Sequence, residues 1–155
     1  MLSSAREVRI DVYKRQEQAY KEGKVKAIGL SNFNAEQIQE ILSICEIKPS
    51  ILQTEVHPYS QEKELKAFLK KEGIAIQAWY PLGHGDKALI EEPLFAELGK
   101  KYGKSSAQIN LRWHIQEGTV VIPGSKNPEH IWKDVKTCIS KPYLSPPFLN
   151  IHSGR

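Results

Sequence analysis

Apolar residues gather into four short, nearly continuous runs at residues 25–30, 51–56, 74–79 and 119–122. Runs of that length without alternation suit strands buried on both faces of a parallel sheet. Helical spacing takes over after each run. Asn34 and Gln37 stand at capping-box spacing, and Ile38, Ile41, Leu42 and Cys45 recur on one helical face behind them. Leu65, Phe68 and Leu69 form a second stripe, ended by Gly73. Leu94, Phe95, Leu98 and Tyr102 form a third, ended by Gly103. Ser105 opens a fourth helix with Ile109, Leu111, Trp113 and Ile115, and Asn127-Pro128 reads as the cap and first position of a fifth.

The predicted order is strand, helix, strand, helix, strand, helix, helix, strand, helix. Strands alternating with helices imply an α/β chain of right-handed parallel βα units. Four such units make either a small open sheet or half of an eight-unit barrel, and periodicity does not choose between them. Residues 1–16 carry no expected element. Residues 135–155, with Pro142, Pro146 and Pro147 and no helical stripe, read as irregular.

Composition narrows the class. The chain has 155 residues, 40% hydrophobic and 26% charged, which excludes collagen-like and wholly disordered readings. No apolar run approaches the roughly 18 residues that span a bilayer, and the charged N-terminus does not read as a secretory signal. The net charge of +4 is spread along the chain in doublets such as Lys70-Lys71, so no nucleic-acid footprint is expected. Cys45 and Cys138 form neither a metal spacing nor a disulfide framework, which suits a reduced, cytoplasmic setting. His84, His114 and His130 have no i, i+4 histidine partner, so no metal site is expected. Gly103-Lys104-Ser105 resembles the end of a phosphate-binding loop, but position 98 is Leu98 and the segment joins two helices. It reads as a helix cap.

Candidate chemistry collects at the carboxyl ends of the predicted strands, where βα folds bind ligands. Ser31, Asn32 and Gln53 offer neutral donors and acceptors suited to an amide. Trp79 offers a flat apolar face, and His57 sits in the neighbouring loop beside Pro58 and Tyr59. Pro81-Leu82-Gly83 and Pro123-Gly124-Ser125 offer backbone N–H groups, the second leading into the helix start at Asn127-Pro128. A molecule with an amide, a flat ring and phosphates matches this set.

Five segments then match one family in order and spacing: GKVKAIGLSNF (residues 23–33), ILQTEVHPY (51–59), AWYPLGHGD (78–86), SSAQINLRW (105–113) and VIPGSKNPEHI (121–131). Over about residues 17–134 the chain resembles the second half of an aldo-keto reductase. These are NAD(P)H-dependent barrel enzymes that reduce aldehydes and ketones. The resemblance implies the last four strands of a TIM (β/α)8 barrel, flanked by non-family segments at 1–16 and 135–155. It implies that Ser31, Asn32 and Gln53 meet the nicotinamide carboxamide and that Trp79 stacks on the nicotinamide ring. Leu82 matches a position near the pyrophosphate, and Ser125, Lys126 and Asn127 match the segment around the adenosine 2′-phosphate. His130 stands where many NADPH-specific members have Arg, and Gly124 where they have Lys. The match at Ser125, Lys126 and Asn127 implies NADPH as cofactor, and the departures at Gly124 and His130 leave NADH open as well. Asp134 stands at the adenine-contacting Asn of the family.

The family's proton-donating Tyr, with its Lys, Asp and His partners, belongs to the first four strands and has no counterpart in these motifs. No catalytic residue is assigned. Two readings follow: a fragment of a carbonyl reductase that keeps the cofactor half, or a non-catalytic βα module with residual dinucleotide or phosphate binding. In either, open sheet edges invite self-association.

Overall fold

The computed structural model describes residues 4–83 and 87–139, the side chains of residues 87, 88, 138 and 139 excepted. His84 and the stretch 140–155, expected to be irregular, lie outside the described residues. The element order is α1 (Ala5–Lys21), β1 (Gly29–Ser31), α2 (Ala35–Ile44), β2 (Ile51–Glu55), α3 (Lys63–Glu72) and β3 (Ala75–Trp79), followed by α4 (Lys87–Ile90), α5 (Pro93–Tyr102), α6 (Ser106–Gln116), β4 (Val120–Val121) and α7 (Pro128–Ile139). The strand order is β1-β2-β3-β4, and the β1–β2 and β3–β4 pairings are parallel. The parallel α/β class expected from the apolar runs is therefore present. Two compact units divide the chain, Met1–Gln53 with Glu64–Ala75, and Thr54–Lys63 with Ile76–Arg155.

In the first unit, Gly29, Leu30 and Ser31 stand opposite Ile51, Leu52 and Gln53. Gly29 is required there. A Cβ on it would lie 2.6 Å from the Ile51 side chain and 2.7 Å from the Ile51 carbonyl oxygen. Helix α2 opens with the capping box expected at Asn34 and Gln37, and Ile38 and Ile41 are fully buried along its stripe. The strand expected at 25–30 begins only at Gly29, and Val25 is exposed.

Helix α1 corrects the sequence reading, which placed no element in residues 1–16. Ser4 accepts from the Glu7 backbone and Glu7 answers with a bond to the Ser4 N–H, a second capping box. Only Tyr13 and Glu17 of this helix are buried. The Tyr13 hydroxyl donates to the Ile47 carbonyl at 2.6 Å, and the Glu17 carboxylate accepts from the N–H groups of Glu46 and Ile47 at 2.7 and 2.8 Å. The helix is thus anchored through polar bonds to the loop after α2, and it leaves no apolar stripe to read. Burial, then Cys45 and then Glu17, push the Tyr13 hydroxyl above its ordinary pKa.

In the second unit, α5 and α6 pack around Phe95 and Ile109, with Leu98 and Tyr102 against them. Gly103 ends α5 at φ 62° in the left-handed region, and Ser105 caps α6 with Gln108 as its box partner. Helix α7 continues to Ile139, into the segment read as irregular. Its last turns are tied to α6: Gln108 Nε2 donates to Thr137 Oγ1 at 3.1 Å, and Arg112 donates to the Thr137 carbonyl at 3.3 Å. These bonds join residues 25 to 29 positions apart, beyond the reach of local patterning.

Candidate functional site

Ser31 and Trp79 end their strands, and Asn32, His57 and Ser125 follow theirs. Gln53, read as a strand-end residue, lies at the centre of β2 (Ile51–Glu55) because the strand runs two residues further. In the first unit the parallel register sets Ser31 beside Gln53, so their side chains share a face of the ladder. Asn32 follows at φ 57°, a left-handed backbone that Asn tolerates better than most residues. Its N–H donates to the Gln53 carbonyl at 2.8 Å, extending the ladder by one bond. The three residues are thus adjacent along the ladder, with Ser31 and Asn32 exposed and Gln53 half-buried.

In the second unit, Trp79 ends β3 and is half-buried. The chain turns at once through Tyr80, at φ 65°, Pro81, Leu82 and Gly83, closed by the Gly83 N–H donating to the Tyr80 carbonyl at 3.0 Å. A cavity of about 610 Å³ opens here, lined by Trp79, Tyr80, Pro81, Leu82, Ile90, Ile122, Pro123 and Gly124. Its walls are chiefly apolar, and the volume lies in the range typical of small-molecule sites. At Gly124 a Cβ would meet nothing within 4 Å, so the backbone there is open to a ligand. The sequence reading named Trp79 and the loops Pro81-Leu82-Gly83 and Pro123-Gly124-Ser125 but missed Tyr80, Ile90 and Ile122 as walls. Nothing local marks them, because each reaches the cavity only through the fold.

Two histidines brace this turn. His114, fully buried on α6, has Nε2 3.2 Å from the Pro81 carbonyl oxygen, an acceptor to which the ring must donate. The His57 ring lies 6.4 Å from that of Tyr80, which in turn meets Trp79 edge-on at 5.5 Å.

Ser125, Lys126, Asn127 and His130 follow the cavity but do not line it. The Ser125 hydroxyl accepts from the Asn127 N–H at 3.0 Å, and Asn127 Oδ1 accepts from the Glu129 N–H at 2.9 Å. Part of the α7 N-terminus is thus self-capped, while Lys126 and His130 stand exposed beside it. One turn on, burial pushes the Asp134 carboxyl up, against the lowering influence of His130. Among the described residues, no group of three or more His, Cys, Asp or Glu is arranged to hold a metal, and no helix is long and apolar enough to cross a membrane.

A sequence model of the Aldo/keto reductase family matches residues 7–143, about ten residues more at each end than the resemblance read from the motifs. The chain is 43% identical over 123 residues to a 9,11-endoperoxide prostaglandin H2 reductase of Trypanosoma cruzi, covering 79% of this chain and 44% of that protein. It is 41% identical over 134 residues to the human aldo-keto reductase family 1 member A1, covering 81% and 41%. Among solved structures it is similar to an aldo/keto reductase from Brucella melitensis, with a TM-score of 0.84 and 33% identity over 94% of this chain and 55% of that one. An aldo-keto reductase from a Medee basin deep-sea metagenome gives a TM-score of 0.87 and 33% identity, covering 95% and 54%. The chain therefore spans roughly two fifths of the length of these curated relatives and about half of the solved chains, so a partial barrel fits.

Proposed function

Because the chain belongs to the aldo/keto reductase family, we propose that it is the nicotinamide-dinucleotide-binding part of a carbonyl reductase. The observation that carries this reading is the cavity against Trp79, with its apolar walls and the open backbone at Gly124. The residues fit the group. In the second unit, the Trp79 indole provides a flat face for the nicotinamide ring, Leu82 an apolar contact near the pyrophosphate, and Ser125, Lys126, Asn127 and His130 the polar and cationic groups for a 2′-phosphate. In the first unit, Ser31, Asn32 and Gln53 are the set suited to a carboxamide. NADPH is the preferred ligand because Lys126 and His130 stand at the α7 start, with NADH as the weaker alternative. When bound, the cofactor supplies the hydride that reduces an aldehyde or ketone.

The carbonyl oxygen must then be protonated, and none of these residues is placed to do so. We assign turnover to the assembly of this chain with the strands that carry the family's Tyr, Lys, Asp and His. A cytoplasmic setting is part of the same proposal.

The test is a titration of NADPH against tryptophan fluorescence, with Trp79→Phe as control. Saturable quenching that disappears in W79F supports the reading. No quenching at about 1 mM NADPH, weaker than the roughly −4 kcal/mol of a millimolar complex, defeats it. Aldehyde-dependent NADPH oxidation by the chain alone would overturn the assignment of the proton donor elsewhere.

A second reading, a βα module that associates with other chains, is favoured by a separate observation. Ile131, Trp132 and Val135 on α7 are 48%, 66% and 45% exposed, and Val120 and Ile122 at β4 are 44% and 47% exposed. Apolar surface of this kind beside a sheet strand favours pairing. Sedimentation of the chain alone separates monomer from self-associated forms, and a monomer at all concentrations removes this reading.

A further inference from the structure

The loop after β2 carries titratable groups that the proposed cofactor contacts do not use. The Tyr59 backbone N–H donates to His57 Nδ1 at 3.2 Å, so that nitrogen carries no proton. The ring proton of neutral His57 therefore sits on Nε2, which faces Glu55 Oε1 at 3.2 Å and donates to it. The imidazole is fixed in tautomer and orientation by these two bonds. In that orientation it lies against Tyr80, with ring centroids 6.4 Å apart, and edge-on to Tyr59 at 6.3 Å. The Tyr59 hydroxyl is hydrogen-bonded to Glu92, so the loop is also tied to the start of α5. Tyr80 holds a left-handed φ of 65°, which an aromatic residue keeps only where its surroundings impose it, and its ring meets Trp79 at 5.5 Å.

We propose that His57 is a positioning residue for Trp79, acting through Tyr80, and that protonation of its ring loosens the Trp79 wall of the cavity. A proton added at Nδ1 would face the Tyr59 N–H, donor against donor, and the bond that orients the ring is lost. Among the described residues, the titratable groups in contact with His57 include Glu55 at the end of β2, Tyr59 in the same loop and Tyr80 after β3, with Glu92 reached through Tyr59. The site would thus bind best when His57 is neutral. This inference deepens the cofactor reading and rests on it only for its effect on affinity.

The experiment is fluorine NMR of the full chain labelled with 5-fluorotryptophan. Its three tryptophan signals are assigned by W79F, W113F and W132F, and pH is scanned from about 8 to 5, where imidazoles charge. The expected result is a single titration step in the Trp79 signal, with Trp132 unmoved. His57→Gln removes the step. NADPH affinity, read by quenching, falls by about tenfold across the same step, the effect of one lost hydrogen bond. A Trp79 signal flat with pH, a step that survives His57→Gln, or one abolished by His114→Gln and kept by His57→Gln overturns the proposal. The Trp113 and Trp132 signals report whether each variant is folded. The fluorine measurement needs no ligand, so failure of NADPH binding alone would sink the cofactor reading and leave the His57–Trp79 coupling tested independently.

Discussion

Replacing Glu17 by Ala is expected to detach α1 from the loop after α2. The carboxylate is 6% exposed and accepts two backbone bonds, from Glu46 and Ile47 at 2.7 and 2.8 Å. Bonds to a charged acceptor contribute about 1.5–3 kcal/mol each, and Ala leaves both N–H groups without their acceptor, so the loss is roughly 3–5 kcal/mol. That is a large share of the stability of an ordinary domain, about 5–15 kcal/mol. Glu17→Gln keeps an oxygen that accepts both bonds and loses only the charge, costing about 1–2 kcal/mol. Tyr13→Phe removes a neutral bond to the Ile47 carbonyl and costs about 1 kcal/mol. Because Tyr13 and Glu17 grip the same residue, the double variant should depart from additivity by about 0.5 kcal/mol or more. Urea unfolding followed by circular dichroism measures the series, and with a slope of about 1–3 kcal/mol/M the Glu17→Ala midpoint falls by roughly 1–5 M. An alanine variant within about 1 kcal/mol of the parent, or a glutamine variant as damaged as the alanine one, would refute the reasoning.

Gly29→Ala should cost about 1–3 kcal/mol in the same assay, since its Cβ would meet the Ile51 carbonyl at 2.7 Å and strand backbone gives way poorly. Gly124→Lys should fold normally, because that position is open, and on the proposed function should tighten NADPH about tenfold with little change for NADH. Fluorescence titration of the two cofactors checks this, and raised salt should shrink the gain. Asp134→Asn should raise the melting temperature slightly at neutral pH. The Asp134 pKa is raised in the folded chain above its ordinary 3.8, so its favourable contribution is present below that value and lost as pH rises through the folded one. The gain from Asn should therefore vanish in acid, and a gain constant with pH would refute it.

The sequence by itself determined the local punctuation and the class of the fold. Asn34 with Gln37, Ser105 with Gln108, and Gly103 are helix boundaries that act within three or four residues, and the structure shows them where they were read. Four continuous apolar runs dictated parallel strands, and the motifs at their ends carried the family. Tertiary structure alone decided the rest. Helix α1 depends on Tyr13 reaching Ile47, 34 residues away, and the Trp79 turn depends on His114 reaching Pro81 across 33. Helix α7 depends on α6 side chains that bind Thr137. Tyr80, Ile90 and Ile122 became cavity walls in the same way. Those positions are governed by partners distant in sequence, and a hydrogen bond or a cavity wall has no period along the chain until folding brings its two sides together.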